Sequence, residues 1–314
     1  GGLSCFLVPR VLDDGSHNVF RIQRLKDKLG NRSNASSEIE FDGTVGVLLG
    51  EEGRGVRTIL EMVNGTRLDC IFGSTAGMRQ ATAEALWHVR HRAAFGALLI
   101  DQPAMTAVVA DLALETEAAT ATAMRLARAA DTDASEPDRA FSRLATAVSK
   151  YWICKRGPGH AYEALECLGG NGYTETFPLA RRYREQPVMA VWEGSGNVIA
   201  LDVLRALARE PESLEAFDAE VSLATGAHPV FDAHLTATRA LAREVAGMDA
   251  PAAAAQARRL VAALALSLQA SLLLRTAPPV VADAFTASRL GENRGALYGE
   301  LPSGTDLAAI IDRS

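Results

Sequence analysis

The sequence predicts a mainly α-helical protein that opens with a short β segment. Three observations carry that prediction. Apolar residues recur at helical spacing from about residue 53 onward, strand-like runs and turns are confined to the first fifty residues, and the 314-residue chain is 48% hydrophobic and 22% charged, as folded globular proteins are. The chain accordingly divides into residues 1–50, 51–210 and 211–314.

In the first segment, Ser4 to Val8 reads as a strand and Asp13-Asp14-Gly15-Ser16 as a turn. Val19 to Gln23 extends again, and Glu38 to Phe41 alternates polar with apolar before Asp42-Gly43. These are fewer strands than an independent sheet needs. Because the first residue is Gly1 and Leu3 to Val8 already reads as the middle of a sheet, the chain is expected to lack its natural beginning.

The second segment changes to a helical period. One long helix is expected from about Gly55 to His91, and a second is marked by Met105, Val108, Val109 and Leu112 on one face. Ser135 followed by Pro137 and Asp138 starts a third, whose inner stripe is Phe141, Leu144, Val148 and Trp152. Gly169-Gly170-Asn171-Gly172 stops that region, and a fourth helix starts near Ser195. Four long antiparallel segments with short breaks make a helical bundle. Beyond Pro211, amphipathic segments are expected at 231–247 and 252–275, with Pro251 and Pro278-Pro279 as breaks and Gly291 to Gly304 as a loop.

Composition narrows the function. A net charge of -6 argues against a generally basic nucleic-acid binder. Cys5, Cys70, Cys154 and Cys167 are widely spaced, which points to buried thiols rather than a disulfide framework or a zinc cage. The longest apolar run, Leu260 to Leu274, is too short to span a bilayer, and no signal peptide is visible, so a cytoplasmic protein without a membrane anchor is expected. No metal site is expected either: only His88 and His91 approach ligand spacing, no carboxylate cluster accompanies them, and the histidines read as surface or capping residues. Ser195 lacks the Gly-x-Ser-x-Gly context of a hydrolase nucleophile.

The densest chemistry lies in Gly169-Gly170-Asn171-Gly172-Tyr173 and Trp192-Glu193-Gly194-Ser195-Gly196-Asn197. Glycines let a ligand approach the backbone, and amides at a helix start favour anionic phosphates. Glu193, between an aromatic side chain and glycines, is a candidate general base. Taken singly, each piece reads more readily as a turn. Arg92 and Phe95 offer a guanidinium for a phosphate and a ring for an adenine, while a helix end capped at Gly96 is the plainer reading of their spacing.

In combination these segments resemble the acyl-CoA dehydrogenase family, in the family's order. The matching stretches are Leu25 to Ser33 (LKDKLGNRS), Leu48 to Gly55 (LLGEEGRG), Arg92 to Gly96 (RAAFG), Leu168 to Tyr173 (LGGNGY) and Tyr183 to Asn197 (YREQPVMAVWEGSGN). The AidB-type, alkylation-response branch is the most similar, with counterparts to LKDKLGNRSNAS, to Cys154-Lys155-Arg156-Gly157 and to the helical tail.

The resemblance implies a partial β-domain remnant, then an acyl-CoA dehydrogenase-like four-helix bundle, then a helical extension, with the family's N-terminal helical domain and first β strands absent. It implies FAD as cofactor, an acyl-CoA substrate, and Glu193 as the base that takes the pro-R α-proton as the β-hydrogen leaves as hydride to flavin N5. The alternative base position of the isovaleryl type falls on or near Thr66, which cannot serve. Arg92, Phe95, Gln102, Glu166, Gly169, Gly170, Ser195 and Asn197 correspond to cofactor-binding positions. Gln102 is displaced by one, and Glu166 stands where many relatives carry Gln. Sharing of FAD between subunits implies a homotetramer or its underlying dimer.

The branch is also associated with double-stranded DNA through its tail, so the alternative that the resemblance implies is a flavin-containing, DNA-associated alkylation-protection protein with little dehydrogenase turnover. Here residues 211–314 carry eight arginines and no lysine against twelve acidic residues, a net charge of -4, which weakens that implication.

Overall fold

The computed structural model describes residues 1–292 and 294–314. Asn293, within the expected Gly291–Gly304 loop, lies outside the described residues. The chain forms two compact units, Gly1–Thr66 and Arg67–Ser314. The division falls inside the first long helix rather than at residue 50. None falls at residue 210, because the tail helices pack among those of the bundle.

In the first unit, β1 (Cys5–Leu7) pairs antiparallel with β4 (Val47–Leu49), a strand the sequence pattern did not reveal, and β2 (Arg21–Leu25) pairs with β3 (Ser37–Glu40). Strand side chains are mostly exposed, and the unit is tied by polar contacts instead. Buried Asn18 donates to the carbonyls of Pro9 (2.7 Å) and Val45 (2.8 Å) and accepts from the Val45 amide (3.0 Å). Two basic side chains of this unit are structural. Arg24 grips Glu38 with two hydrogen bonds of 2.9 and 2.8 Å, and the Lys28 ammonium closes its loop on the carbonyls of Asn31 and Asn34, both at 2.6 Å.

The helices follow in order: α1 (Gly55–His91), then a small hairpin of β5 (Ala93–Ala94) and β6 (Ala97–Leu98), α2 (Pro103–Ala129), α3 (Glu136–Glu166), α4 (Leu179–Met189) and α5 (Gly196–Arg209). The tail continues with α6 (Pro211–Ser222), α7 (Pro229–Ala246), α8 (Ala250–Thr276), α9 (Pro279–Leu290) and α10 (Leu307–Ile311). Ser135 caps α3 by accepting from the Asp138 amide at 3.2 Å, as expected. The helix breaks fall where the prolines were expected to put them, and Pro211, Pro251 and Pro279 stand in the first turn of the helix that follows each break, where a proline has no amide to leave unsatisfied.

The stripes read from the sequence form the core. Phe141, Leu144 and Val148 of α3 and Val109 and Leu112 of α2 are all buried in one apolar cluster, and Trp152 packs at its edge. Helix α8 spans 27 residues, longer than its Leu260–Leu274 run, and by length and composition could cross a bilayer; its apolar window is 72% buried among α2, α3, α5, α7 and α9, so here it is a core helix. Cys70, Cys154 and Cys167 are buried free thiols, and Cys5 is half-buried.

A buried polar cluster fastens the tail to the bundle. Arg289 of α9 pairs with Asp111 and Glu115 of α2, Arg156 of α3 pairs with Glu115 at 2.9 Å, and the Gly299 amide donates to Asp111 at 2.8 Å. Burial pushes the Glu115 carboxyl up, but Arg156 and Arg289 outweigh it and hold it down at about 2. His160, expected at the surface or in a cap, is instead wholly buried beside this cluster, edge-on to Tyr298, with Nε2 3.1 Å from the Leu112 carbonyl. Burial depresses it to about 4.

Both shifts mean that the unfolded chain binds protons more readily than the folded one, so stability rises with pH. The His160 contribution is complete above pH ~6.5 and lost as pH falls toward 4; that of Glu115 is complete above ~4.5 and lost toward 2. Urea midpoints are therefore expected to fall steadily between pH 6.5 and 4, and replacing His160 by Asn to flatten the upper part of that slope.

Candidate active site

Helix α4 ends at Met189, and the chain turns through residues 190–195 into α5. Within the turn Glu193 has φ +57° and Gly194 φ +109°, a left-handed passage that glycine accepts freely and glutamate resists. Two buried cations hold it. The Lys150 ammonium donates to the Gly194 carbonyl at 2.6 Å, and Arg67 Nε donates to the Glu193 carbonyl at 3.2 Å. Arg67 is fixed in turn by Asp202 of α5 at 2.7 Å, which Arg143 and Arg205 also approach. Glu193 itself is half-buried.

Neither Lys150 nor Arg67 was among the sequence candidates. The available signal was Lys150 as the lone charge between Arg143 and Lys155 in an otherwise apolar and small-residue stretch of α3. Burial pulls the Lys150 ammonium below its ordinary value, opposed by Cys154, Cys70 and Glu193, while burial drives the Cys154 thiol up to about 12. Those thiols are therefore inert neighbours rather than nucleophiles.

Ser195 is the N-cap residue of α5, but its hydroxyl caps no amide, and Asn197 accepts from Arg258 Nε of α8 at 2.8 Å. Lys155 and Arg258 lie over Gly196, where a Cβ would sit 3.1 Å from Lys155 Nζ and 3.6 Å from Arg258 Nη2. The start of α5 is thus strongly electropositive.

Two further patches complete the expected set. Helix α3 ends at Glu166, whose carboxylate accepts from the Tyr162 hydroxyl at 3.1 Å, and the following turn, Gly169–Tyr173, is 3-10 helical. Nothing lies within 4 Å of where a Cβ would stand on Gly169 or Gly170, so their backbone is open to a ligand, whereas Gly172 is demanded by the Leu165 carbonyl packed against it. At the end of α1, the β5–β6 hairpin carries Phe95 and Gly96 at its tip, with φ +54° and +86°. Gly96 is therefore a hairpin residue and not a helix cap, a correction to the plainer reading of that spacing; two consecutive left-handed residues give the turn that matches strand twist. Phe95 is 97% exposed, Arg92 is exposed beside it, and Gln102 holds the hairpin by donating to the Ala94 carbonyl at 2.8 Å.

No hydrogen bond or ion pair among the described residues joins the three patches. Their exposed amides, guanidinium and ring fit the phosphates and adenine of a dinucleotide. In the first unit, the Thr66 hydroxyl bonds the Val63 carbonyl of its own helix at 3.1 Å.

Comparison with known proteins adds to the geometry. The family model for the acyl-CoA dehydrogenase C-terminal domain matches residues 53–208. The AidB protein of Escherichia coli strain K12 is 53% identical over 210 residues, covering 67% of this chain and 39% of that protein. The structure of Caenorhabditis elegans ACDH-11 in complex with C11-CoA superposes with a TM-score of 0.79 at 25% identity, covering 90% of this chain and 52% of that one. A Bacillus anthracis acyl-CoA dehydrogenase complexed with FAD shares the fold, with a TM-score of 0.67 at 16% identity over 92% of this chain and 56% of its own. The chain therefore spans about two fifths of the curated relative and about half of each of these solved chains.

Proposed function

Because the chain belongs to the acyl-CoA dehydrogenase family, whose C-terminal domain it matches over residues 53–208, we propose that the full-length protein is an FAD-dependent oxidoreductase of acyl-CoA thioesters with Glu193 as its base. The observation that supports this best is the Glu193 turn: a strained carboxylate-bearing residue gripped by two buried cations at the start of a helix. Structure of this kind is maintained where function requires it.

Arg92, Phe95 and Gln102 on the hairpin, Glu166, Gly169 and Gly170 after α3, and Ser195 and Asn197 at α5 are the residues that would hold FAD. Bound there, FAD supplies the hydride acceptor that no side chain of the polypeptide can provide. The chain's own part is acid-base: the Glu193 carboxylate takes the proton from the thioester α-carbon, whose acidity the thioester carbonyl supplies, as the β-hydrogen departs with its electron pair and leaves a 2-enoyl thioester. Addition of acyl-CoAs of graded chain length to the full-length protein is expected to bleach its visible flavin absorbance; a yellow protein that none of them bleaches overturns the reading.

A fully exposed phenylalanine at a hairpin tip suits contact with a second subunit, and the homotetramer implied by the family is proposed on that ground. Phe95→Ala is expected to leave thermal stability within about 0.5 kcal/mol of the parent. Loss of one aromatic–base stack, about 1–3 kcal/mol, should weaken flavin retention about tenfold or more, read as the flavin-to-protein absorbance ratio after dialysis.

The DNA-associated alternative gains no support from the tail. Arg239 pairs with Asp218, Arg275 with Glu220, Arg289 with Asp111 and Glu115, and Arg313 with Glu117. These cations are neutralised within the protein, whereas duplex binding needs concentrated charge facing solvent. Salt-dependent duplex binding lost on replacing Arg259 and Arg294 by Ala would revive that reading.

A further inference from the structure

We infer that Lys150 is a positioning residue for the Glu193 base, acting through the carbonyl of Gly194; the inference rests on the proposed role of Glu193. Lys150 is 1% exposed and forms no ion pair with a carboxylate among the described residues. A buried ammonium without a paired anion is costly, and the cost is met only where its protons find good acceptors. Its ammonium donates to the Gly194 carbonyl across 44 residues of sequence, at 2.6 Å, the short range of a charge-assisted bond.

That carbonyl belongs to the residue that completes the left-handed passage begun at Glu193. Releasing it lets the turn relax toward ordinary backbone, which swings the Glu193 side chain to a new direction. Arg67 holds the preceding carbonyl, but its guanidinium is also drawn to Asp202 of α5. Lys150 therefore acts on the turn from α3, independently of the α5 anchor. The charged and titratable groups around the Lys150 ammonium are Arg67, Glu193, Cys70 and Cys154, and both thiols stay protonated and neutral because burial raises them.

The test uses Lys150→Met, which keeps length and apolar bulk while removing charge and donor, alongside Lys150→Arg, which restores both, in the full-length flavin-loaded protein. The first readout is hydrogen exchange of the peptide spanning 191–197: Met is expected to accelerate it about tenfold with little change in thermal midpoint, and Arg to bring it back toward the parent. Exchange unchanged in Lys150→Met overturns the inference. The second is flavin reduction by the acyl-CoA that reduces the parent fastest. Lys150→Met should lower the limiting rate about 30-fold while the substrate concentration for half-saturation changes less than threefold, with partial recovery in Lys150→Arg. A fall explained wholly by weaker saturation, or by lost thermal stability, also overturns it. If Glu193→Gln reduces normally, the base assignment itself is wrong; if Glu193→Gln is inert while Lys150→Met matches the parent, only the positioning role fails.

Discussion

Replacing Glu193 by Gln in the full-length protein is expected to slow acyl-CoA-dependent flavin reduction by roughly 100- to 10,000-fold while the protein keeps its yellow colour. General base catalysis contributes about that range, equivalent to roughly 3–5 kcal/mol of barrier. Glutamine has the size of glutamate and the same tolerance of a left-handed backbone, but its amide cannot take a proton. The bonds from Lys150 and Arg67 reach backbone carbonyls, which the substitution leaves in place, so the turn should keep its shape. Thr66 offers no substitute base, since its hydroxyl is already given to a carbonyl of its own helix and has no tendency to ionise. Stopped-flow reduction rates at saturating substrate provide the measurement, with thermal midpoint and flavin content as controls. A rate equal to the parent's would move the base elsewhere.

The parts of this fold legible in the sequence are those governed by local pattern. Helical spacing located α2 and α3 and their buried stripes, Ser135 announced its cap, and the glycine run marked the end of α3. Glu193, Ser195 and Asn197 lie adjacent in sequence as well as in space, so a motif could find them. Partners brought together by folding were invisible: Arg67 meets Glu193 across 126 residues, and Arg289 meets Asp111 across 178. Strand β4 escaped for the same reason, because its partner β1 lies at the other end of the unit. His160 shares the buried face of α3 with Ile153, Gly157 and Ala164 at helical spacing, but its polar ring disguised that burial, and the prolines marked the helix breaks because the ring that blocks a helix interior suits a helix start.

Arg289→Met is expected to be the most destabilising single substitution in the second unit, by about 3–5 kcal/mol at neutral pH. Methionine fills much of the space of the arginine stem, so the loss is electrostatic rather than a cavity. It leaves Asp111 and Glu115, with side chains 1% and 2% exposed, to share Arg156, which pairs with Glu115. Asp111 keeps the Gly299 amide but loses its cation. Three comparisons separate this from a general packing defect. Arg289→Lys, which retains charge without the planar fork, should recover part of the loss. Combining Arg289→Met with Asp111→Asn should be less destabilising than the sum of the two single changes, because the penalty comes from a carboxylate stranded without its cation. Finally, removing Arg289 takes away one of the two cations that hold Glu115 near 2, so Glu115 takes up its proton at higher pH in the variant. Its stranded charge is then relieved by acid, and the gap between parent and variant in urea midpoint should be widest above pH ~4.5 and narrow as pH falls toward the parent value. A gap that stays constant from pH 7 to 3.5 would mean that Arg289 contributes through packing alone.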